Sequence, residues 1–138
     1  MPTLTFPGRY DSLNKIASFV RQAAQEAHLN DFAAYEVETA IDEACSNIIE
    51  HAYGGEDLGT IECSYLVSKD HLTIVLRDHG KPFDPSKIPT PDLKRSLGSR
   101  KTHGLGLYIM RQWMDRVEFD TTKETNILTM IKYNKVKA

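Results

Sequence analysis

The apolar pattern of this chain changes once, at Gly54-Gly55, and that change constrains the fold more than any other feature. Before it, Leu13, Ile16, Ala17, Val20, Ala24 and Ala27 recur at helical spacing. Asp11 or Ser12 is expected to cap this first helix, and Asn30-Asp31 separates it from a second over residues 32–53. There Val37, Ile41, Ala44, Cys45, Ile48 and Ala52 form a wide apolar arc, and the paired glycines end the helix. After the glycines, residues 60–67 and 72–77 are β-branched and apolar, and residues 68–71 join them as a hairpin. A third helix is expected over residues 104–115. Strands at 117–121 and 127–133 make a second hairpin around residues 123–126, and residues 4–6 a short first strand. Helices segregated from a mostly antiparallel sheet predict an α+β fold, a two-layer sandwich. At 138 residues the chain is expected to form a single domain with a core of its own.

One stretch has no period. Residues 78–103 carry Pro82, Pro85, Pro89, Pro91 and Gly98 among Lys81, Lys87, Lys94, Arg95, Arg100 and Lys101. A connection that long in a small domain is often a functional lid; the alternative is a disordered insertion.

Composition removes several classes. A net charge of -2 gives no basic field for nucleic acid. No apolar run is long enough to span a bilayer, and no basic stretch followed by an apolar one marks a signal peptide. Cys45 and Cys63 lack metal-ligand spacing and read as buried free thiols, which fits a reducing cytoplasm.

Three short blocks carry the chemistry. On the second helix, Glu43, Asn47 and His51 recur every four residues and share one face. An amide oxygen at Asn47 suits magnesium, and Glu43 one turn earlier suits a general base. A solvated helix face explains the same spacing, and His51 fits a rim position or a structural hydrogen bond. Asp78 ends a strand, where its carboxylate can accept from the exocyclic amine of adenine. Gly80 lets backbone approach a ring; a plain turn is the alternative. Gly104-Leu105-Gly106-Leu107 opens the third helix, where free backbone N–H groups attract phosphate, or where the glycines serve only flexibility. Neither a Walker A loop nor a dinucleotide-binding fingerprint is present. Arg100 or Lys101 just before this block could reach phosphate oxygens.

With those residues in view, the chain resembles the GHKL ATPase superfamily. Glu43-Ala-Cys-Ser-Asn47-Ile-Ile-Glu-His51-Ala-Tyr53, Asp78-His-Gly80-Lys-Pro82-Phe83-Asp84-Pro85 and His103-Gly-Leu-Gly-Leu-Tyr-Ile-Met110 look like its N, G1 and G2 boxes. Glu43-Ala44, Asn47, His51-Ala52-Tyr53 and the passage Arg111-Gln-Trp-Met-Asp115-Arg-Val117 are most similar to bacterial anti-sigma-factor serine/threonine kinases. The resemblance runs from the first helix to the last strand. It implies the GHKL (Bergerat) sandwich, helices on one face of the sheet, with ATP held beneath a long lid over residues 81–103. Asn47 would bind Mg2+, Glu43 would be the general base, and Asp78 would take the adenine amine above Gly80. Gly104, Leu105 and Gly106 would present amides to phosphate, with Leu107 following. His51, Pro82, Phe83, Lys101, Thr102 and His103 would complete the nucleotide site, and Thr129 would reach the adenine. Two departures stand out: Thr102-His103 precede Gly104, and Glu124-Thr-Asn-Ile-Leu-Thr129 lacks the Gly-Thr pair often found there.

The implied activity is phosphorylation of a serine or threonine on an anti-sigma-factor antagonist of STAS type. The protein would also switch between that partner and a sigma factor. A homodimer in the cytoplasm is implied, without nucleic acid or membrane. The competing readings are a nucleotide-gated binding module with little catalysis and a detached histidine-kinase catalytic domain. Glu43 favours the kinase, because nucleotide binding alone does not need a base.

Overall fold

A computed structural model describes residues 1–82, 84 and 105–134, with Leu105 described for its backbone alone. Five strands form one antiparallel sheet in the order β1-β2-β3-β5-β4. These are β1 (Thr3–Pro7), β2 (Thr60–Val67), β3 (His71–Asp78), β4 (Arg116–Thr122) and β5 (Thr125–Tyr133). Three helices, α1 (Leu13–Glu26), α2 (Asp31–Asn47) and α3 (Leu105–Trp113), accompany it. This is the expected α+β sandwich.

Alternation builds the contact between the layers. In β3, Leu72, Ile74, Leu76 and Asp78 fall on one face, and in β5, Asn126, Leu128, Met130 and Lys132 do the same; all eight are buried. Against the apolar members of these rows pack Ile16 and Val20 of α1, Val37, Ile41 and Cys45 of α2, and Met110 of α3. Both cysteines are buried and free. Truncating one of the fully buried aliphatic residues, such as Ile41 or Ile74, removes packing worth about 2–5 kcal/mol.

Helix ends differ from expectation in two places. Ser12 precedes α1, but its hydroxyl does not cap the helix; it donates to the Pro7 carbonyl at 2.7 Å and ties helix to strand. Asn30 does cap α2, accepting from the Ala33 N–H at 2.7 Å. At its other end α2 stops at Asn47 and widens into one π-helical turn, Ile48–Ala52, closed by the Tyr53 N–H on the Ile48 carbonyl at 2.9 Å. Gly54 at φ 81 and Gly55 at φ 157 then reverse the chain, conformations that favour glycine.

The closing hairpin is tighter than the sequence suggests. Thr122 pairs with Thr125, leaving Lys123-Glu124 as a two-residue turn, so Asn126 lies inside β5 and not in the loop. Among the described residues no helix is long and apolar enough to cross a membrane. Most of the expected lid, residues 81–103, lies outside the described residues.

Candidate functional site

The widened end of α2, the end of β3, the last hairpin and Met110 of α3 line an open cleft of about 500 Å³, measured out to solvent. Its walls are mainly apolar: Ala44 and Ile48 from α2, Met110 from α3, and Phe119 and Leu128 from the last hairpin. Few polar residues line it: Asn47, Asp78, Asp120, Thr121 and Asn126. An apolar slot with sparse polar groups is the usual form of a small-ligand site.

Asp78 reaches the cleft because it continues the helix-facing row of β3 one step past Leu76. It is 4% exposed. Its Oδ1 accepts from the Gly80 N–H and from Asn126 Nδ2, each at 2.9 Å. The turn behind it is fixed from two sides. Tyr53 Oη accepts from the His79 N–H at 3.0 Å and donates to the Thr60 carbonyl at 2.6 Å. The Lys81 N–H donates to the Ala52 carbonyl at 2.8 Å. That last contact explains Gly80 as much as any ligand does. A Cβ there would stand 2.4 Å from the Ala52 oxygen, which is backbone and cannot step aside. The π-helical turn therefore docks α2 onto the end of β3, and such bulges are frequent at functional sites.

Glu43 and Asn47 lie on one face of α2, as their spacing predicts, and reach the first turn of α3. A Cβ on Gly106 would meet Glu43 Oε2 at 2.7 Å and Asn47 Nδ2 at 3.6 Å. Glu43 is half-buried, and no described residue forms an ion pair or hydrogen bond with its carboxylate. Desolvation, then the charges of Asp42 and Glu50, hold its carboxyl above the ordinary glutamate range. The helix start adjoining it is a natural place for an anion. Among the described residues no group of three His, Cys, Asp or Glu side chains forms a metal cage. Asn47 offers one oxygen donor, so a magnesium ion there would need further oxygens from a ligand and from water.

The other expected residues divide. Gly106 is buried against Glu43, and Leu107 is a core residue whose contribution to a ligand could only be its backbone. Pro82 is exposed and lines an outer pocket with His79 and Gly80, not the main cleft. His51 leaves the stripe: the π-helical turn winds less per residue than an α-helix, so His51 is exposed beside Glu50, outside the cleft lining. Thr129 pairs with Val75 and so belongs to the opposite row of β5, away from the helices. The helix-facing residue of β5 nearest Asp78 is Asn126, which the sequence pattern places in a turn over residues 123–126. Only the register, with Asn126 opposite Asp78, reveals it. Phe83, Lys101, Thr102, His103 and Gly104 lie outside the described residues.

Residues 6–132 match the family described as "Histidine kinase-like ATPase domain". The chain is 34% identical over 102 residues to "Serine-protein kinase RsbW" of Bacillus cereus (strain AH187), covering 71% of this chain and 62% of that relative. It thus spans less than two thirds of the relative's length. Its fold is similar to a structure of the RsbU and RsbW domains of Rv1364c from Mycobacterium tuberculosis, with a TM-score of 0.62 and 12% identity over 96% of this chain and 32% of that one. It is also similar to a chain in the SiaB-SiaC complex from Pseudomonas aeruginosa, with a TM-score of 0.57 and 11% identity over 96% of this chain and 89% of that one.

Proposed function

This chain belongs to the histidine kinase-like ATPase family, and from that premise we propose that it is an ATP-dependent serine/threonine protein kinase of the anti-sigma-factor type. The carrying observation is the convergence of Glu43 and Asn47 on Gly106, together with the buried Asp78 in the cleft that Asn47 also lines. A base-recognition group and a phosphate-side base are the minimum for transferring phosphate from a purine nucleotide.

In this reading the adenine lies in the apolar slot with its amine on Asp78, and the phosphates meet the amides at the start of α3. Asn47 would hold Mg2+, which when bound would supply positive charge to the phosphates. Glu43 takes the proton from the acceptor hydroxyl as that oxygen bonds to the γ-phosphorus. The bond from phosphorus to the bridging β–γ oxygen breaks, and ADP leaves. Glu43 fits this role because no described residue pairs with it and its raised proton affinity favours acceptance. The residues outside the described set, Lys101, Thr102, His103 and Gly104, would face the same phosphates, and residues 81–103 would form the lid.

The acceptor is a serine or threonine of an anti-sigma-factor antagonist of STAS type, and a sigma factor is the alternate partner. Support comes from the 34% identity to a serine-protein kinase. The protein acts as a cytoplasmic homodimer without nucleic acid or membrane. The test is Mg-ATP-dependent transfer to candidate antagonist domains by wild type, Glu43→Ala and Asn47→Ala. Transfer to serine or threonine that both substitutions abolish supports the kinase. Tight ATP binding with no labelled candidate favours a nucleotide-gated binding module, and no ATP binding removes the site assignment.

A further inference from the structure

Asn126 is 9% exposed and stands opposite Asp78 in the β3–β5 register. Its Nδ2 lies 2.9 Å from Asp78 Oδ1, 2.9 Å from the Lys81 carbonyl oxygen and 3.3 Å from the Gly80 carbonyl oxygen. All three partners are acceptors, so the carboxamide must place its nitrogen toward them. Its Oδ1 then faces β4 and accepts from Thr121 Oγ1 at 3.3 Å. A hydroxyl in its place would carry one proton and serve one of the three oxygens. The amide's two N–H groups serve the Asp78 carboxylate and the Lys81 carbonyl, with the Gly80 carbonyl as a longer, shared acceptor.

The arrangement has a consequence for Asp78. With the Gly80 N–H and Asn126 both on Oδ1, that oxygen is committed. No described residue donates to Oδ2, so Oδ2 is the oxygen left for a ligand in the cleft that Asp78 lines. A ligand N–H there is favoured, and a ligand carbonyl is repelled.

We infer that Asn126 is the positioning residue of the base pocket: it fixes Asp78 so that one oxygen is offered to an amino-bearing purine, and it anchors the first residues after β3 at the same point. Base recognition and the setting of Gly80-Lys81 then form one structural unit. The recognition half rests on the nucleotide reading above; the anchoring half does not.

Asn126→Thr and Asn126→Leu separate the two halves. The first keeps at most one donor and suits a strand; the second keeps none at similar volume. Dissociation constants are measured for ATP and for purine riboside triphosphate, which lacks the 6-amino group. Hydrogen exchange of the Gly80 and Lys81 amides is measured without nucleotide. Wild type should prefer ATP about tenfold or more, since a hydrogen bond to a charged group is worth that much. The preference should shrink in Asn126→Thr and fall to within about twofold in Asn126→Leu, with both amides exchanging about tenfold faster in each. An unchanged preference in the variants overturns the recognition role, and unchanged exchange overturns the anchor. A wild type that ignores the amino group or fails to bind ATP removes the nucleotide reading, while the exchange result still decides the anchor.

Discussion

At the Asp78 end of the cleft Oδ1 of the carboxylate is held by two donors before any ligand arrives, whereas at the Glu43 end the half-buried carboxylate stands against a glycine with no partner among the described residues. The first end belongs to the architecture. Asp78 and Asn126 continue the core rows of two strands, and Tyr53 and Ala52 lock the turn behind them. The second end carries an electrostatic cost that folding alone gives no reason to keep. On the proposed function, the contrast teaches that base recognition is inherited from sheet register, while chemistry is placed where the fold is least satisfied. Pre-organised hydrogen bonding at one end and a poised, costly group at the other is the division expected of a nucleotide-using enzyme.

The strongest way to break this comparison is Glu43→Gln. Loss of the base should lower phosphate transfer about 10²–10⁴-fold. Nucleotide affinity should stay within a few-fold, and thermal stability should hold or rise, because an uncompensated charge near Asp42 and Glu50 is removed. A large drop in melting temperature would mean that Glu43 is structural, and the contrast between the two ends would collapse.

Asp78→Ala should behave in the opposite way. It strips the acceptor from the Gly80 N–H and from Asn126, so it should cost about 1–3 kcal/mol of stability and weaken ATP binding about 10–100-fold. Gly80→Ala should destabilise by about 1–3 kcal/mol through its clash with the Ala52 carbonyl. Chemical denaturation and nucleotide titration on the same samples check both. Stability and binding should fall together at this end, whereas at the other neither should fall while transfer is lost.

The acidity of Glu43 sharpens the comparison further. Its carboxyl titrates higher in the folded protein than in the unfolded chain, so the folded state holds that proton to higher pH. Any stability linked to it is present below the unfolded value and is lost as pH rises through the folded value. Activity should run the other way, because the base works only when deprotonated. The acid limb of the pH profile of kcat/KM should therefore lie above the ordinary glutamate range. Since Glu50 is one of the causes of the shift, Glu50→Gln should move that limb down toward ordinary values. A limb that does not move would assign the titration to another group.

Much of this was legible in the sequence, for reasons specific to each element. The helical stripe of Glu43 and Asn47 and the terminal carboxylate of β3 follow from period alone, so they could be read without coordinates. His51 could not, because nothing in Ile48-Ile-Glu-His-Ala52 signals that the helix widens there. Asn126 escapes a sequence reading because residues 123–126 suggest a four-residue turn where two suffice. Strand side chains alternate, so a register read from the wrong turn length assigns residues to the wrong face. Thr129 and Asn126 are three apart and therefore on opposite faces, and choosing one loses the other.

The smallest expected effects test that last point. Thr129→Val should leave ATP affinity and transfer rate within about twofold, since its row faces away from the cleft and the swap suits a strand. His51→Ala should likewise change nucleotide affinity by no more than about twofold, because its side chain is exposed outside the cleft lining. Set beside Asn126→Thr, these two make an internal control. If Thr129→Val lowers ATP affinity as much as Asn126→Thr does, the β5 register near the nucleotide differs from the one described, and the base end of the cleft is not the prebuilt half of the site.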